Sequence, residues 1–175
     1  YDAPRNRFIG YGAGAVVNDA FTVAAANNVW VAVLSGGVFT VTVHSLPSNY
    51  ERAFGKAVVL QDGTVLHFGG VKVDLGHTNS IVSYNVDTQT DDVPGYLIGF
   101  RAMHALVQLP NSDVIVFGGR DNEQQAMAGV ERVELTWYNR YALADMPHAL
   151  YDHAAALAFD TVYVSGGFLP GGTMS

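Results

Sequence analysis

The chain has 175 residues, of which 49% are hydrophobic and 14% charged, and its formal net charge is −7. With only two lysines, it lacks the basic stripe that binding to a nucleic-acid backbone requires. It has no cysteine, which excludes disulfides, thiolate metal ligands and cysteine nucleophiles, and its apolar stretches are too short for a membrane-spanning helix.

From the N-terminus, residues 7–47 are predicted to form two β-hairpins. RFIGYGAGAVVNDA (7–20) supplies the first two strands, with a turn at residues 12–14. VWVAVL (29–34) and VFTVTVH (38–44) form the second hairpin, because Gly36 and Gly37 between them tolerate the positive φ of a tight turn. Pro47 ends this four-stranded unit.

The same arrangement is predicted twice more, in residues 55–94 and 103–147, followed by half a unit in residues 153–175. KAVVLQDGTVLHFGG (56–70), HALVQLPNSDVIVFGG (104–119) and HAAALAFDTVYVSGG (153–167) each have the pattern of a strand, a turn and a second strand. SIVSYNVDTQTDDVP (80–94) and GVERVELTWYNRYALADMP (129–147) each supply two further strands and end at a proline.

A glycine pair ends the second strand of three of these units. The pairs recur at intervals of 49 and 48 residues, which indicates one supersecondary unit built several times. Glycines at such positions allow another backbone to approach closely. We therefore predict structural roles for Gly69, Gly70, Gly118, Gly119, Gly166 and Gly167.

These units resemble the kelch repeat, a four-stranded blade of a β-propeller. The resemblance rests on VLHFGG, VIVFGG and VYVSGG, on the approach Arg101-Ala102-Met103-His104 to a first strand, and on the aromatic Tyr84 in a third strand. His153 is equivalent to His104, whereas Lys56 stands in this place in the second unit. Both histidines are expected to make a structural hydrogen bond at the start of a blade.

The resemblance implies an all-β fold in which residues 1–175 form a single, incomplete kelch-type β-propeller domain. Its antiparallel four-stranded blades correspond to residues 7–47, 55–94 and 103–147, with a partial blade at 153–175, or about three and a half blades. A β-sandwich is the alternative, but it does not account for the regular spacing. A ring needs more blades, so we expect a longer protein, assembly with other chains or an open stack. The end just after a second strand favours the first.

No catalytic or metal site is predicted, and no cofactor. The six histidines have no ligand spacing, and no serine–histidine–aspartate set is recognisable. Galactose-oxidase-like enzymes share the propeller class, but their copper–radical chemistry needs a cysteine. The scarcity of lysine and the many Thr, Asn and Tyr residues slightly favour an extracellular location over a cytoplasmic one.

Binding is predicted at the loops instead. Because strands alternate in direction, the loops after second and fourth strands emerge on one face. This face is expected to bind through Tyr50, Arg52, His77, Asn79, Tyr96, Arg101, Arg120, Asn122, Gln124 and Tyr151, since Arg and Tyr are often energetically important at interfaces.

The predicted function is therefore a non-enzymatic protein-binding or structural assembly module, whose partner is another protein or a further copy of the chain. Alanine at Arg101 or Arg120 is expected to weaken binding without unfolding the protein. The alternative is a carbohydrate-active or oxidoreductase propeller enzyme whose site is completed by missing blades.

Overall fold

The structure, a computed structural model, describes residues 2–11, 15–16, 23–24, 28–46, 52–72 and 76–175. In this part of the chain its regular elements are fifteen β-strands and a 3₁₀ turn at Ala3–Arg5, so the all-β prediction is confirmed. The strands pair antiparallel in four main sheets and a short hairpin. The first sheet contains β1 (Arg7–Tyr11), β4 (Asn28–Ser35) and β5 (Val38–Ser45), and the hairpin contains β2 (Ala15–Val16) and β3 (Val23–Ala24).

The other three main sheets follow the chain without crossovers. The second sheet contains β6 (Lys56–Val59), β7 (Thr64–Phe68), β8 (Ser80–Asn85) and β9 (Thr90–Tyr96). The third contains β10 (Ala105–Gln108), β11 (Val114–Phe117), β12 (Val130–Glu134) and β13 (Asn139–Ala142). The fourth contains β14 (Ala154–Ala158) and β15 (Thr161–Ser165). These three sheets are formed by strands within residues 56–96, 105–142 and 154–165.

The predicted turns between first and second strands are formed by the same backbone bonds. The Leu60 N–H donates to the Thr64 carbonyl over 2.8 Å, and the Leu109 N–H donates to the Asp113 carbonyl over 2.7 Å. In the former turn the Asp62 side chain also accepts the Thr64 N–H, which is the local bond that makes Asp favourable in turns. Different sequences thus give one geometry.

The predicted hairpin of residues 29–44 is confirmed, because β4 pairs with β5 along its whole length and both turn glycines have positive φ. The prediction for residues 7–20 is wrong in one respect. β1 pairs directly with β4, so Arg7–Tyr11 occupies the position of a second strand. The Asp2 N–H donates to the Arg7 carbonyl as Leu60 does to Thr64, which identifies Arg7 as the counterpart of Thr64. The expected turn at residues 12–14 lies outside the described residues.

Not all of the prolines that were predicted to end a four-stranded unit lie after its last strand. Pro94 lies within β9 rather than after it, at a register shift opposite Ile81–Ser83. β9 is the outer strand of its sheet, and an edge bulge tolerates a residue without an N–H. Pro147 follows β13, as expected, and Pro47 lies outside the described residues.

Three apolar layers join successive sheets. Alternation along the strands sends Val65 and Val82 of the second sheet toward the first, and Leu66, Phe68 and Ile81 toward the third. A third layer joins the third and fourth sheets. Each fully buried side chain of this kind contributes about 1.5–3 kcal/mol, so the contacts between sheets are a principal source of stability. The sheets are therefore stacked face to face.

The glycine pairs lie at the contacts between successive sheets. The Gly70 N–H donates to the Arg101 carbonyl, and the Gly119 N–H donates to the Leu150 carbonyl, each over 2.8 Å. A Cβ atom at Gly118 would lie 2.5 Å from the Leu150 carbonyl oxygen, which is closer than a side-chain carbon can come to a backbone oxygen. The predicted structural role thus has a specific cause, namely that the segment leading into the next sheet crosses the pair.

Candidate functional site

Loops after second and fourth strands lie together and repeat the same pairing. Isolated bridges connect Ala53 to Val71 and Val71 to His77. Equivalent bridges connect Ala102 to Arg120 and Arg120 to Ala126, and a third set connects Tyr151 to Phe168 and Phe168 to Met174. We call this surface the loop face; its described segments are 52–55, 71–72, 76–79, 97–104, 120–129, 146–153 and 168–174. Its loops are thus paired to one another by their backbones, as the direction of the strands predicted.

A chain of backbone hydrogen bonds fixes the loop face from sheet to sheet. The Met103 N–H donates to the Phe54 carbonyl over 2.8 Å, and the Asp152 N–H donates to the Met103 carbonyl over 2.7 Å. All three residues have a φ between +53° and +57°. Non-glycine residues adopt this conformation at a cost, so their recurrence indicates that the surrounding bonds hold them there.

A cleft of about 480 Å³ opens on the loop face around Arg120. The Arg120 guanidinium carbon lies 4.6 Å from the centre of the Tyr151 ring, and that ring stacks on Phe168 at 5.4 Å. The Arg120 Nε–H donates to the Gln124 carbonyl over 3.0 Å. The Arg120 guanidinium and the Tyr151 ring are therefore held against each other at the cleft. We call this the Arg120 cleft; it is lined by Arg120, Gln124, Gln125, Ala126, Tyr151, Pro170, Gly171 and Gly172.

Three of the predicted binding residues therefore meet in one place: Arg120, Gln124 and Tyr151. The contribution of Gln125, Phe168 and Pro170 was not predicted. The repeat contained a usable signal, because Phe168 follows Gly166-Gly167 as Arg120 follows Gly118-Gly119. Aligning the residues after the glycine pairs would have placed Phe168 beside Arg120.

A second cluster of predicted residues surrounds His77. The His77 N–H donates to the Asn122 side-chain oxygen over 2.8 Å, which ties the loops of two successive sheets together. The Asn79 side chain donates to the Leu97 carbonyl over 3.2 Å. Burial, with Arg120 nearby, lowers the pKa of His77, and Asp121 opposes this shift. A smaller cleft of about 330 Å³ is lined in part by Asn122.

Arg52 and Arg101 do not reach the surface. Arg52 donates to the Gly69 carbonyl and to the Ser80 hydroxyl. Arg101 donates to the Gly118 carbonyl over 3.2 Å, and its guanidinium lies 2.7 Å from the carboxylate of Glu131, which is 1% exposed. Burial raises the pKa of Glu131 and lowers that of Arg101, while their mutual attraction opposes both shifts. Alanine at Arg101 is therefore expected to destabilise the fold, which corrects the sequence-based expectation.

Of the two remaining predicted residues, the structure describes only Tyr96. Tyr96 ends β9 and is 51% exposed. Tyr50 lies outside the described residues.

Buried histidines lie where sheets meet. His104 and His153 precede the first strands of the third and fourth sheets. In the described part of the chain their ring nitrogens have no hydrogen-bond partner, so the predicted structural hydrogen bond is not formed. The rings instead pack against the preceding glycine pairs: the His104 Cε1 lies 3.2 Å from where a Cβ of Gly69 would be. Burial lowers the pKa of both histidines.

The second sheet fills this position differently. Gly55, not Lys56, is the counterpart of His104, because it lies against Gly70 as His104 lies against Gly119. The ring of His67 occupies the space beside Gly55 and stacks on Tyr11 at 4.3 Å. Burial lowers the pKa of His67 well below its ordinary value, and the charge of Arg52 adds to this effect.

The described residues contain no group of three or more His, Cys, Asp or Glu side chains arranged to hold a metal ion. In the same part of the chain there is no helix of the length and apolarity that crossing a bilayer requires. A groove of about 470 Å³ on the opposite face is lined by residues of strand turns, including Asp62, Pro110 and Thr136.

Among solved structures, the chain is similar to the structure of YjhT, a kelch-like propeller protein, with a TM-score of 0.76 at 15% sequence identity. The match covers 93% of this chain and 56% of YjhT, so the chain spans about half the length of that protein. No protein-family model matches the chain, and no curated protein was found to be similar to it. The likeness to YjhT concerns the fold: stacked antiparallel sheets in a propeller-like arrangement.

Proposed function

We propose that the chain is a segment of a kelch-type β-propeller, with blades at residues 7–47, 55–94 and 103–147 and a partial blade at 153–175, and that its loop face binds a protein partner. The Arg120 cleft supports this proposal most directly. It combines an arginine, a stacked aromatic pair and two glutamines on a surface held by backbone bonds. Arg and Tyr are over-represented among the residues that dominate the binding energy of interfaces.

The chemistry of the cleft favours recognition over catalysis. Arg120 and the amides of Gln124 and Gln125 donate hydrogen bonds, and Tyr151 offers a ring face. None of the residues lining this cleft is a carboxylate or a histidine, the usual general acids and bases. The enzymatic alternative therefore receives no support from the cleft. A peptide segment with a carboxylate or an aromatic side chain fits its lining.

A displayed library of random peptides, selected on the immobilised chain, tests this function. We expect selected peptides to lose at least tenfold in affinity for Arg120→Ala and Tyr151→Ala, because residues of this kind contribute about 2 kcal/mol or more when they anchor an interface. Trp137→Ala is the matched control, since Trp137 is 76% exposed in the turn before β13. Equal binding to all the variants would overturn the loop-face assignment.

A further inference from the structure

The smaller cleft on the loop face lies where the second and third sheets meet. It has a volume of about 330 Å³, and the segment after β9 forms one wall while the loop after β11 forms the other. We call it the Phe100 cleft; it is lined by Gly99, Phe100, Asp121, Asn122, Glu123 and Met127. The first sheet packs on the second and the fourth packs on the third, so both walls belong to sheets that have neighbours on each side.

The wall after β9 is apolar. Phe100 is 47% exposed, and Ile98 and Tyr96 are exposed to a similar extent, whereas Leu97 between them is buried. Large apolar side chains thus recur at every second residue toward the cleft. The Met127 side chain adds to this surface, because a Cβ at Gly99 would lie 3.7 Å from the Met127 Cε. Exposed apolar side chains that are grouped in this way mark an interaction site.

The wall after β11 is acidic. Asp121 and Glu123 are its charged residues, and none of the described residues that line the cleft is basic. Arg120, which precedes Asp121, lies instead over the Tyr151 ring in the Arg120 cleft. The net charge of the whole chain is −7. A cationic group that approaches this wall is therefore attracted by two nearby carboxylates and by the charge of the protein as a whole.

Hydrogen bonds hold both walls in place. The Asp121 carboxylate accepts the backbone N–H groups of Glu123 and Gln125, each over 2.9 Å, and so fixes the loop after β11. On the other wall the Ile98 N–H donates to the carboxylate of the buried Glu131 over 2.8 Å. A site that is already ordered loses less conformational entropy when a ligand binds.

We propose that the Phe100 cleft binds a partner segment in which an apolar side chain lies next to a lysine or an arginine. The apolar side chain packs on Phe100 and Met127, and the cation lies beside Asp121 and Glu123. This inference rests on the proposed function, because it assigns the chemistry of a partner of the loop face. The loop of residues 120–127 contributes to both clefts, and the Arg120 cleft has the opposite preference, since its lining offers a cation and no carboxylate.

A displayed library of random peptides, selected on the double variant Arg120→Ala/Tyr151→Ala, tests the Phe100 cleft separately from the Arg120 cleft. We expect the selected peptides to be enriched in lysine and arginine next to an aromatic or aliphatic residue. Adding Phe100→Ala should weaken their binding at least about tenfold, because a few anchoring residues dominate the affinity of an interface. Phe159→Ala is the matched control and should leave binding unchanged, since Phe159 is 96% exposed in the turn between β14 and β15.

Reversal of one charge tests the acidic wall. Glu123→Lys should weaken binding of the same peptides about three- to tenfold, because an attraction is replaced by a repulsion. Asp160→Lys makes the same change in net charge in the exposed turn of the fourth sheet and should have a smaller effect. Raising the salt concentration from about 50 to about 300 mM should weaken binding more in the parent than in Glu123→Lys. Circular dichroism checks folding, and the exposed Glu123 keeps the test decisive if Phe100→Ala does not fold.

The proposal would be overturned if no peptide is enriched, if the enriched peptides lack basic residues, or if Phe100→Ala and Phe159→Ala bind them equally. It would also be overturned if the wild-type chain is a multimer by size-exclusion chromatography and Phe100→Ala is not, because the cleft would then bind a second copy. The function of the Arg120 cleft is tested by the selection on the wild-type chain, so the failure of either proposal can be told from the failure of the other.

Discussion

Alanine at Gly118 and at Gly166 should have different costs, although both glycines open the same motif. Both have a left-handed backbone, with φ of +53° and +67°. A methyl group at Gly118 would lie 2.5 Å from the Leu150 oxygen, 2.8 Å from Met146 Cε and 3.0 Å from His153 Cε1, whereas at Gly166 it would meet nothing. The comparison therefore separates the backbone cost from the cost of the contact between sheets.

The magnitudes follow from these two terms. A left-handed conformation costs an L-residue about 1–2 kcal/mol, and this applies to both variants. Overpacking adds about 1–3 kcal/mol at Gly118, where the nearest atom belongs to a backbone that is itself hydrogen-bonded to Gly119. We expect Gly118→Ala to lower the free energy of unfolding by about 2–5 kcal/mol and Gly166→Ala by about 1–2 kcal/mol.

Urea unfolding followed by tryptophan fluorescence measures both values. Equal losses at the two positions would refute the reasoning, since the glycine pair would then serve only the local turn and not the contact with the next sheet.

Two further predictions concern buried polar groups. Arg101→Ala leaves the Glu131 carboxylate buried without its partner. We expect the free energy of unfolding in urea to fall by about 3–5 kcal/mol, and adding Glu131→Ala should recover part of this loss. A loss below about 1 kcal/mol would contradict a structural role for the buried pair. Burial lowers the pKa of His67 and His104 in the folded chain below the ordinary value of 6.5. Below pH 6.5 the unfolded chain therefore binds more protons than the folded chain, so the contribution of these histidines to the free energy of unfolding is fully present above pH 6.5 and is lost as the pH falls. Between pH of about 7.5 and 5.5, thermal unfolding should show a slope approaching about 1.4 kcal/mol per histidine and pH unit. His104→Gln should remove one proton from this slope, and an unchanged slope in this variant would contradict the prediction.

Much of the fold could be predicted from local sequence because the turns are chemically explicit. Gly36-Gly37 and Asp62-Gly63 each specify a tight turn, and the structure has both. The first sheet could not be predicted in the same way. Its second strand lacks a following glycine pair, so only the pairing of β1 with β4 reveals that Arg7–Tyr11 is the counterpart of β7.

For the candidate site, the sequence could predict which residues lie in loops but not which of those residues are buried. The repeat placed Arg120, Gln124 and Tyr151 among ten loop residues on one face, since loop positions follow from strand direction, and the structure brings these three into one cleft. It could not distinguish them from Arg101, which also lies in a loop. The burial of Arg101 depends on its ion pair with Glu131, which lies thirty residues further along the chain. The pairing of β12 with β11 brings Glu131 to this position, and the loop sequence around Arg101 does not show it.

The backbone bonds between Phe54, Met103 and Asp152 make the stack modular. Each residue offers the next sheet the same carbonyl in the same left-handed conformation, at intervals of 49 residues. Removing residues 55–103 would join Phe54 to His104 and bring Asp152 to the carbonyl that Met103 now uses. Duplication or loss of one such interval would change the number of sheets and keep this backbone bond, but the apolar side chains between the new neighbours would have to fit each other. The backbone bond thus sets the spacing of the sheets, whereas the side chains between them determine which sheets can be neighbours.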